Sequence, residues 1–200
     1  LEFRRVLFRS VPMKLITQFI ASVLLTVFAT GNAYANPKGY LQINSTEVET
    51  KGSGGNKFLD LEIKTASPIP VDGKSGAFGY AALSDGGNNL LVIVTHLPID
   101  DSSDENPDSG FHTHVLDLKA PSAACPGANF EVDVANSKKN KAFDADYQWK
   151  VKGNKIEVEK VPVADLGDAG VESVVSFTLN PVLDKTKQAT NLCITVVDQK

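Results

Sequence analysis

NNLLVIVTHLPIDDSSDENPDSGFHTHVLDL, residues 88–118, holds every histidine of the chain and decides its fold class. Two apolar runs rich in Val, Ile and Leu, Asn89–His96 and Phe111–Leu118, flank a polar loop carrying Asp100, Asp101, Asp104, Glu105 and Asp108. Runs of this length, separated by Pro, Asp, Ser and Gly, read as two strands of a hairpin. His96 ends the first strand, and His112 and His114 open the second.

The same texture extends outward. Alternating runs broken by Gly, Asn, Asp, Ser and Pro predict further strands at Tyr40–Glu49, Lys57–Thr65, Ala77–Leu83, Ala128–Ala135, Phe143–Val151, Lys155–Val161, Val171–Leu179 and Asn191–Asp198. Phe58-Leu59-Asp60-Leu61-Glu62-Ile63 and Lys155-Ile156-Glu157-Val158-Glu159 alternate cleanly, which gives each strand one buried and one wetted face. Residues 52–56, 85–88, 136–141 and 152–154 supply turn chemistry between them. No helix of ordinary length is evident, and short irregular turns are expected at Ala120–Ala124, Ala164–Ala169 and Asp184–Ala189. Ten strands with turn signals at short spacing make an all-β protein, a single antiparallel β-sandwich or flattened barrel.

The N-terminal part reads differently. Residues 1–12 carry all three arginines of the chain and read as non-native flanking sequence. From Met13, Lys14 is a short positive region, Leu15–Phe28 an apolar stretch, and Ala33-Tyr34-Ala35 a small-residue cleavage site, so residues 13–35 read as a cleavable Sec-type signal peptide. The expected product is a domain at residues 36–200, exported to a periplasm or the extracellular space, with no membrane span after cleavage. That product has 16 lysines, no arginine and 23 Asp plus Glu, a net charge of −7. An acidic surface without a guanidinium repels phosphate backbones, which excludes nucleic acid as the natural partner. Cys125 and Cys193 are the only cysteines, and in an oxidising compartment they read as a disulfide.

Residues two apart on a strand share a face, so His112 and His114 point to one side, with Leu116 and Leu118 continuing it. His96 shares its face with Val94, Val92 and Leu90. A hairpin register that sets His96 opposite His112 or His114 brings three imidazoles to one face, and a one-residue slip removes His96 from it. Three imidazoles with an open fourth position suit zinc, and copper accepts the same ligands. The metal expectation is therefore zinc or copper at His96, His112 and His114, serving metal handling or metal-assisted chemistry. Ordinary strand-end histidines, bonded to backbone or to the acidic loop, are the other reading. Asp100, Asp101, Asp104 and Asp108 offer the oxygens that calcium prefers, although without EF-hand spacing, and Asp100, Asp101 and Asp108 are also placed to orient the histidines.

Gly110-Phe111-His112-Thr113-His114 resembles the GFHxH copper-ligand motif of the copper/zinc superoxide dismutases, and Cys125 with Cys193 resembles the placement of that family's disulfide in an all-β sandwich. The resemblance implies a β-sandwich able to hold copper through His112 and His114. It covers one pentapeptide and two cysteines. The family's downstream histidines and zinc-site aspartate have no counterpart, since no histidine follows His114, and dismutase activity is not carried over.

No GxSxG or SxxK motif is present, and the glycines at 52–55 precede a strand rather than a helix, so they form a turn and not a phosphate cradle. Tyr147 and Trp149 fall on one face, as core residues or as a carbohydrate platform. Beside the metal reading stands a non-enzymatic binding or structural module of the periplasm or cell surface, with a protein or glycan partner at its loops and no metal.

Overall fold

The computed structural model describes residues 38–84, 89–95, 110–167 and 170–200, and residues 89–95 by their backbone pairing. The strands are β1 (Ile43–Lys51), β2 (Phe58–Thr65), β3 (Phe78–Ser84), β4 (Asn89–Thr95), β5 (Phe111–Lys119), β6 (Phe130–Val132), β7 (Gln148–Lys152), β8 (Lys155–Pro162), β9 (Val171–Leu183) and β10 (Ala189–Gln199), with one four-residue helix, α1 (Val134–Ser137), between β6 and β7. Two antiparallel sheets result. One runs β1-β2-β8-β7, and the other runs β10-β6-β5-β4-β3-β9 and curls until β9 pairs with β10. The expected all-β sandwich of ten strands is the fold.

The alternation of β2 and β8 is what orients the four-stranded sheet. Leu59, Leu61, Ile63, Ile156 and Val158 are buried against the second sheet. On its outer face Lys51 bridges Glu49 and Asp60, at 2.8 and 2.7 Å, and Lys155 bridges Glu62 and Glu157, at 2.7 and 2.5 Å. A bulge places Glu159 and Lys160 opposite Asp60, with Lys160 at φ 59°, and the Asp60 carboxylate accepts the Lys160 N–H at 2.8 Å.

The curled sheet is apolar on both faces. Phe78, Tyr80 and Ala82 of β3, with Phe111 and Val115 of β5, pack toward the four-stranded sheet, while Ala81, Leu116, Leu118, Val175, Phe177 and Ile194 form a second core inside the curl. This double burial explains why β3 reads as a continuous apolar run rather than an alternating one. Phe78 is the hub of the first core, with ring centroids 4.8 Å from Tyr40, 5.7 Å from Phe111 and 6.3 Å from Tyr80. The buried Tyr80 hydroxyl donates to the Tyr40 carbonyl.

Two predicted strands are shorter than expected. Ala128–Ala135 contributes only the three residues of β6, because the Asp133 side chain accepts the Asn136 N–H and caps α1. Phe143–Val151 becomes a ladder strand only from Gln148, and its first part has a different task described below. Among the described residues no helix is long and apolar enough to cross a membrane. The flanking segment and signal peptide expected at residues 1–35 lie outside the described residues.

Candidate functional site

Phe111 anchors the start of β5. Its ring is buried between Phe78 and Trp149, the latter at a centroid distance of 6.2 Å, so odd-numbered residues of β5 face the four-stranded sheet. Strand alternation then turns His112 and His114 into the curl, on the face of Leu116 and Leu118. Trp149 and Tyr147 pack against the first core, the core use of the two aromatics.

Only Leu118 and Lys119 of β5 pair with β6, which leaves the N-terminal part of that edge to something other than a strand. Residues 133–147 run along it as a strap. The Asp133 N–H donates to the Asp117 carbonyl at 2.8 Å, the Val115 N–H to Ala142 at 3.2 Å, and the Thr113 hydroxyl to Ala145 at 2.6 Å. The Tyr147 N–H in turn donates to the Thr113 hydroxyl at 3.1 Å. Phe143 of the strap packs into the second core beside His114.

His112 and His114 are both half-buried, and their ring centroids lie 4.6 Å apart at an interplanar angle of 87°. His112 Nδ1 lies 3.2 Å from the Gly110 carbonyl and His114 Nδ1 2.8 Å from the Phe143 carbonyl. A carbonyl only accepts, so each contact requires a proton on Nδ1, and the neutral ring then carries its lone pair on Nε2. This is how metal-ligating histidines are commonly oriented, with the second nitrogen donating to a backbone carbonyl or carboxylate. Asp144 Oδ1, on a largely exposed side chain, is 3.3 Å from the same His114 Nδ1 and adds negative charge to that nitrogen.

The register of the hairpin is Val94 opposite His112 and Val92 opposite His114, so even-numbered positions of β4 share a face with even-numbered positions of β5. The three-histidine expectation asked for His96 opposite His112 or His114, but those places are held by Val94 and Val92, and His96 itself lies outside the described residues. Asp100, Asp101, Asp104 and Asp108 lie outside them as well. Among the described residues, no group of three or more His, Cys, Asp and Glu side chains is arranged to hold a metal ion.

Cys125 and Cys193 form the expected disulfide, with Cα atoms 5.4 Å apart. It fastens the segment between β5 and β6 to β10. Sequence reasoning passed over two groups. Asp144 belonged to a predicted strand and carried no motif. Glu131, flanked by Phe130 and Val132, reads as an ordinary wetted strand residue, yet its side chain is only 1% exposed because the segment 120–129 folds over it.

No protein-family model, curated protein or solved structure matches this chain.

Proposed function

We propose that this is an exported β-sandwich protein that binds a transition metal, zinc or copper, through imidazoles gathered at the opening of the curled sheet. His112 and His114 supply two ligand nitrogens, and His96 is carried from the sequence as the third. The single observation behind this reading is the pairing of His112 and His114, 4.6 Å apart, with each Nδ1 against a backbone carbonyl. Two nitrogens on one tetrahedral ion at roughly 2.0–2.1 Å each fall within the reach of rings so spaced. Export rests on the signal-like N-terminus and on the disulfide, which persists where thiols are oxidised. A zinc ion held there would supply Lewis acidity, and a copper ion redox capacity as well. The chain's own residues fix the ring tautomers, through the Gly110 and Phe143 carbonyls, and set the Phe143 ring against His114.

Metal content of the tag-free protein beginning at Asn36 tests this directly, beside the variants His112→Ala/His114→Ala and His96→Ala. The expected result is about one equivalent of zinc or copper in the parent, lost in the double variant and weakened about tenfold or more in His96→Ala. Affinity also falls as pH drops through about 6.5, because ligating imidazoles must be neutral. Negligible metal in the parent after a challenge with excess ions returns the histidines to a structural role in holding the strap. The function then becomes that of a non-enzymatic module with a protein or glycan partner.

A further inference from the structure

Glu131 is a buried carboxylate whose partners come from two distant pieces of chain, Lys119 and Ser122 at and just past the end of β5 and Asn191 on β10. Its Oε2 accepts the Ser122 N–H at 2.8 Å, and its Oε1 accepts from Asn191 Nδ2 at 2.7 Å and lies 3.1 Å from Lys119 Nζ. Lys119 ends β5, Ser122 belongs to the segment that carries Cys125, and Asn191 sits on β10 two residues before Cys193. In the ladder of β6 and β10, Cys193 lies directly opposite Glu131. The Cys125 N–H donates to the Ser122 carbonyl at 2.9 Å, so one residue, Ser122, links the carboxylate to the backbone of the cysteine. The segment is thus fastened to β10 beside Glu131 by one covalent and one electrostatic device, and at its far end by Asn129, whose N–H donates to the Ile194 carbonyl at 2.9 Å and whose Oδ1 accepts the Val196 N–H at 2.8 Å.

We propose that Glu131 is the positioning residue of the Cys125–Cys193 disulfide, holding the Cys125 segment on β10 in the dithiol form so that the two sulfurs close on each other. Leaving that position strips a buried charge of the Ser122 N–H, which is costly, and a segment held in place escapes most of the loop-closure entropy that joining the sulfurs otherwise demands. The chemistry is ordinary exchange with a small disulfide oxidant such as oxidised glutathione. One cysteine thiolate attacks a glutathione sulfur, forming a mixed disulfide and expelling one glutathione thiolate. The second cysteine thiolate then attacks the protein sulfur and expels the other. The two protein thiols give up two protons, and the two electrons leave on the two reduced glutathiones. Only the second step joins groups of one chain, so only it responds to how well the segment is positioned.

Positioning and general stabilisation have different signatures. A group that merely strengthened the fold would favour the folded dithiol and folded disulfide equally and leave their ratio unchanged. The test is to equilibrate the full chain with mixtures of reduced and oxidised glutathione under native conditions, trap free thiols by alkylation, and read the effective concentration of the two thiols from the mass spectrum. Wild type is compared with Glu131→Gln, with Asn191→Ala, which removes only the contact on β10, and with Ile63→Val, which trims the fully buried Ile63 in the other sheet. Glu131→Gln is expected to lower the effective concentration about tenfold, Asn191→Ala about threefold, and Ile63→Val by less than about twofold. The proposal is overturned if Glu131→Gln and Asn191→Ala both stay within about twofold of wild type, or if Ile63→Val falls as far as they do. Should Glu131→Gln fail to fold, Asn191→Ala against Ile63→Val decides by the same thresholds.

Discussion

His114 and Phe143 are joined twice: His114 Nδ1 meets the Phe143 carbonyl at 2.8 Å, and the two rings lie 5.4 Å apart at 33°. One histidine therefore belongs both to the proposed ligand pair and to the fastening of the strap along the edge of β5. His114→Ala removes the donor to that carbonyl together with the ring contact and is expected to destabilise the fold by about 1–2 kcal/mol in urea denaturation. A cost below about 0.3 kcal/mol would mean that Thr113 and Val115 hold the strap alone.

The ligand reading depends on which nitrogen carries the proton. In long-range proton–nitrogen NMR spectra of the metal-free protein at about pH 8, His112 and His114 are both expected as neutral rings protonated on Nδ1. This measurement requires no metal. A ring found protonated on Nε2 would withdraw that nitrogen from ligation and remove the main support for the proposed site.

Glu131 makes stability depend on acid in a defined window. Hydrogen bonds from the Ser122 side chain, then from Asn191 and the Ser122 N–H, with a smaller share from Lys119, hold its pKa down to about 2 from an ordinary 4.5. A carboxyl whose folded pKa lies below its unfolded one stabilises the fold fully above the unfolded value, and that contribution disappears as pH falls toward the folded value. Glu131→Gln is thus expected to cost about 3 kcal/mol at neutral pH, with the difference from wild type closing between about pH 4.5 and 2. Parallel urea titrations across that range check it, and a difference that stays constant with pH would show that the loss is one of shape rather than charge.

What the sequence revealed of this fold follows from where burial is set locally and where it is set by distant chain. In β2, β5 and β8 each strand's own alternation determines its faces, so Leu59, Leu61, Ile63 and the pair His112 and His114 were placed on the correct sides from pattern alone. Phe143–Val151 alternates just as well, yet residues 143–147 bond to the Thr113 hydroxyl and to His114 instead of to a strand backbone, a choice of partner that no pattern within the segment records. Glu131 was illegible for a related reason: the cover that buries it is a segment whose position depends on Cys193, far along the chain. Asp144 approaches His114 only because the strap brings it there.

The turns offer a comparison in which sterics and backbone preference separate. Gly52 and Gly153 both have positive φ, +87° and +61°, so an L side chain is disfavoured at either. At Gly153 an added Cβ meets nothing within 4 Å, and Gly153→Ala is expected to cost about 1 kcal/mol, the penalty of the left-handed conformation alone. At Gly52 the Cβ falls 2.1 Å from the Asn56 carbonyl oxygen, a backbone atom that no rotamer change can move aside. Gly52→Ala therefore forces the connection between β1 and β2 to rearrange and is expected to cost about 2–3 kcal/mol in urea denaturation. Equal costs at the two positions would show that this connection adjusts freely. A larger loss at Gly52, with β1 amides exchanging faster than those of β2, would show that the turn sets the register in which Lys51 faces Phe58.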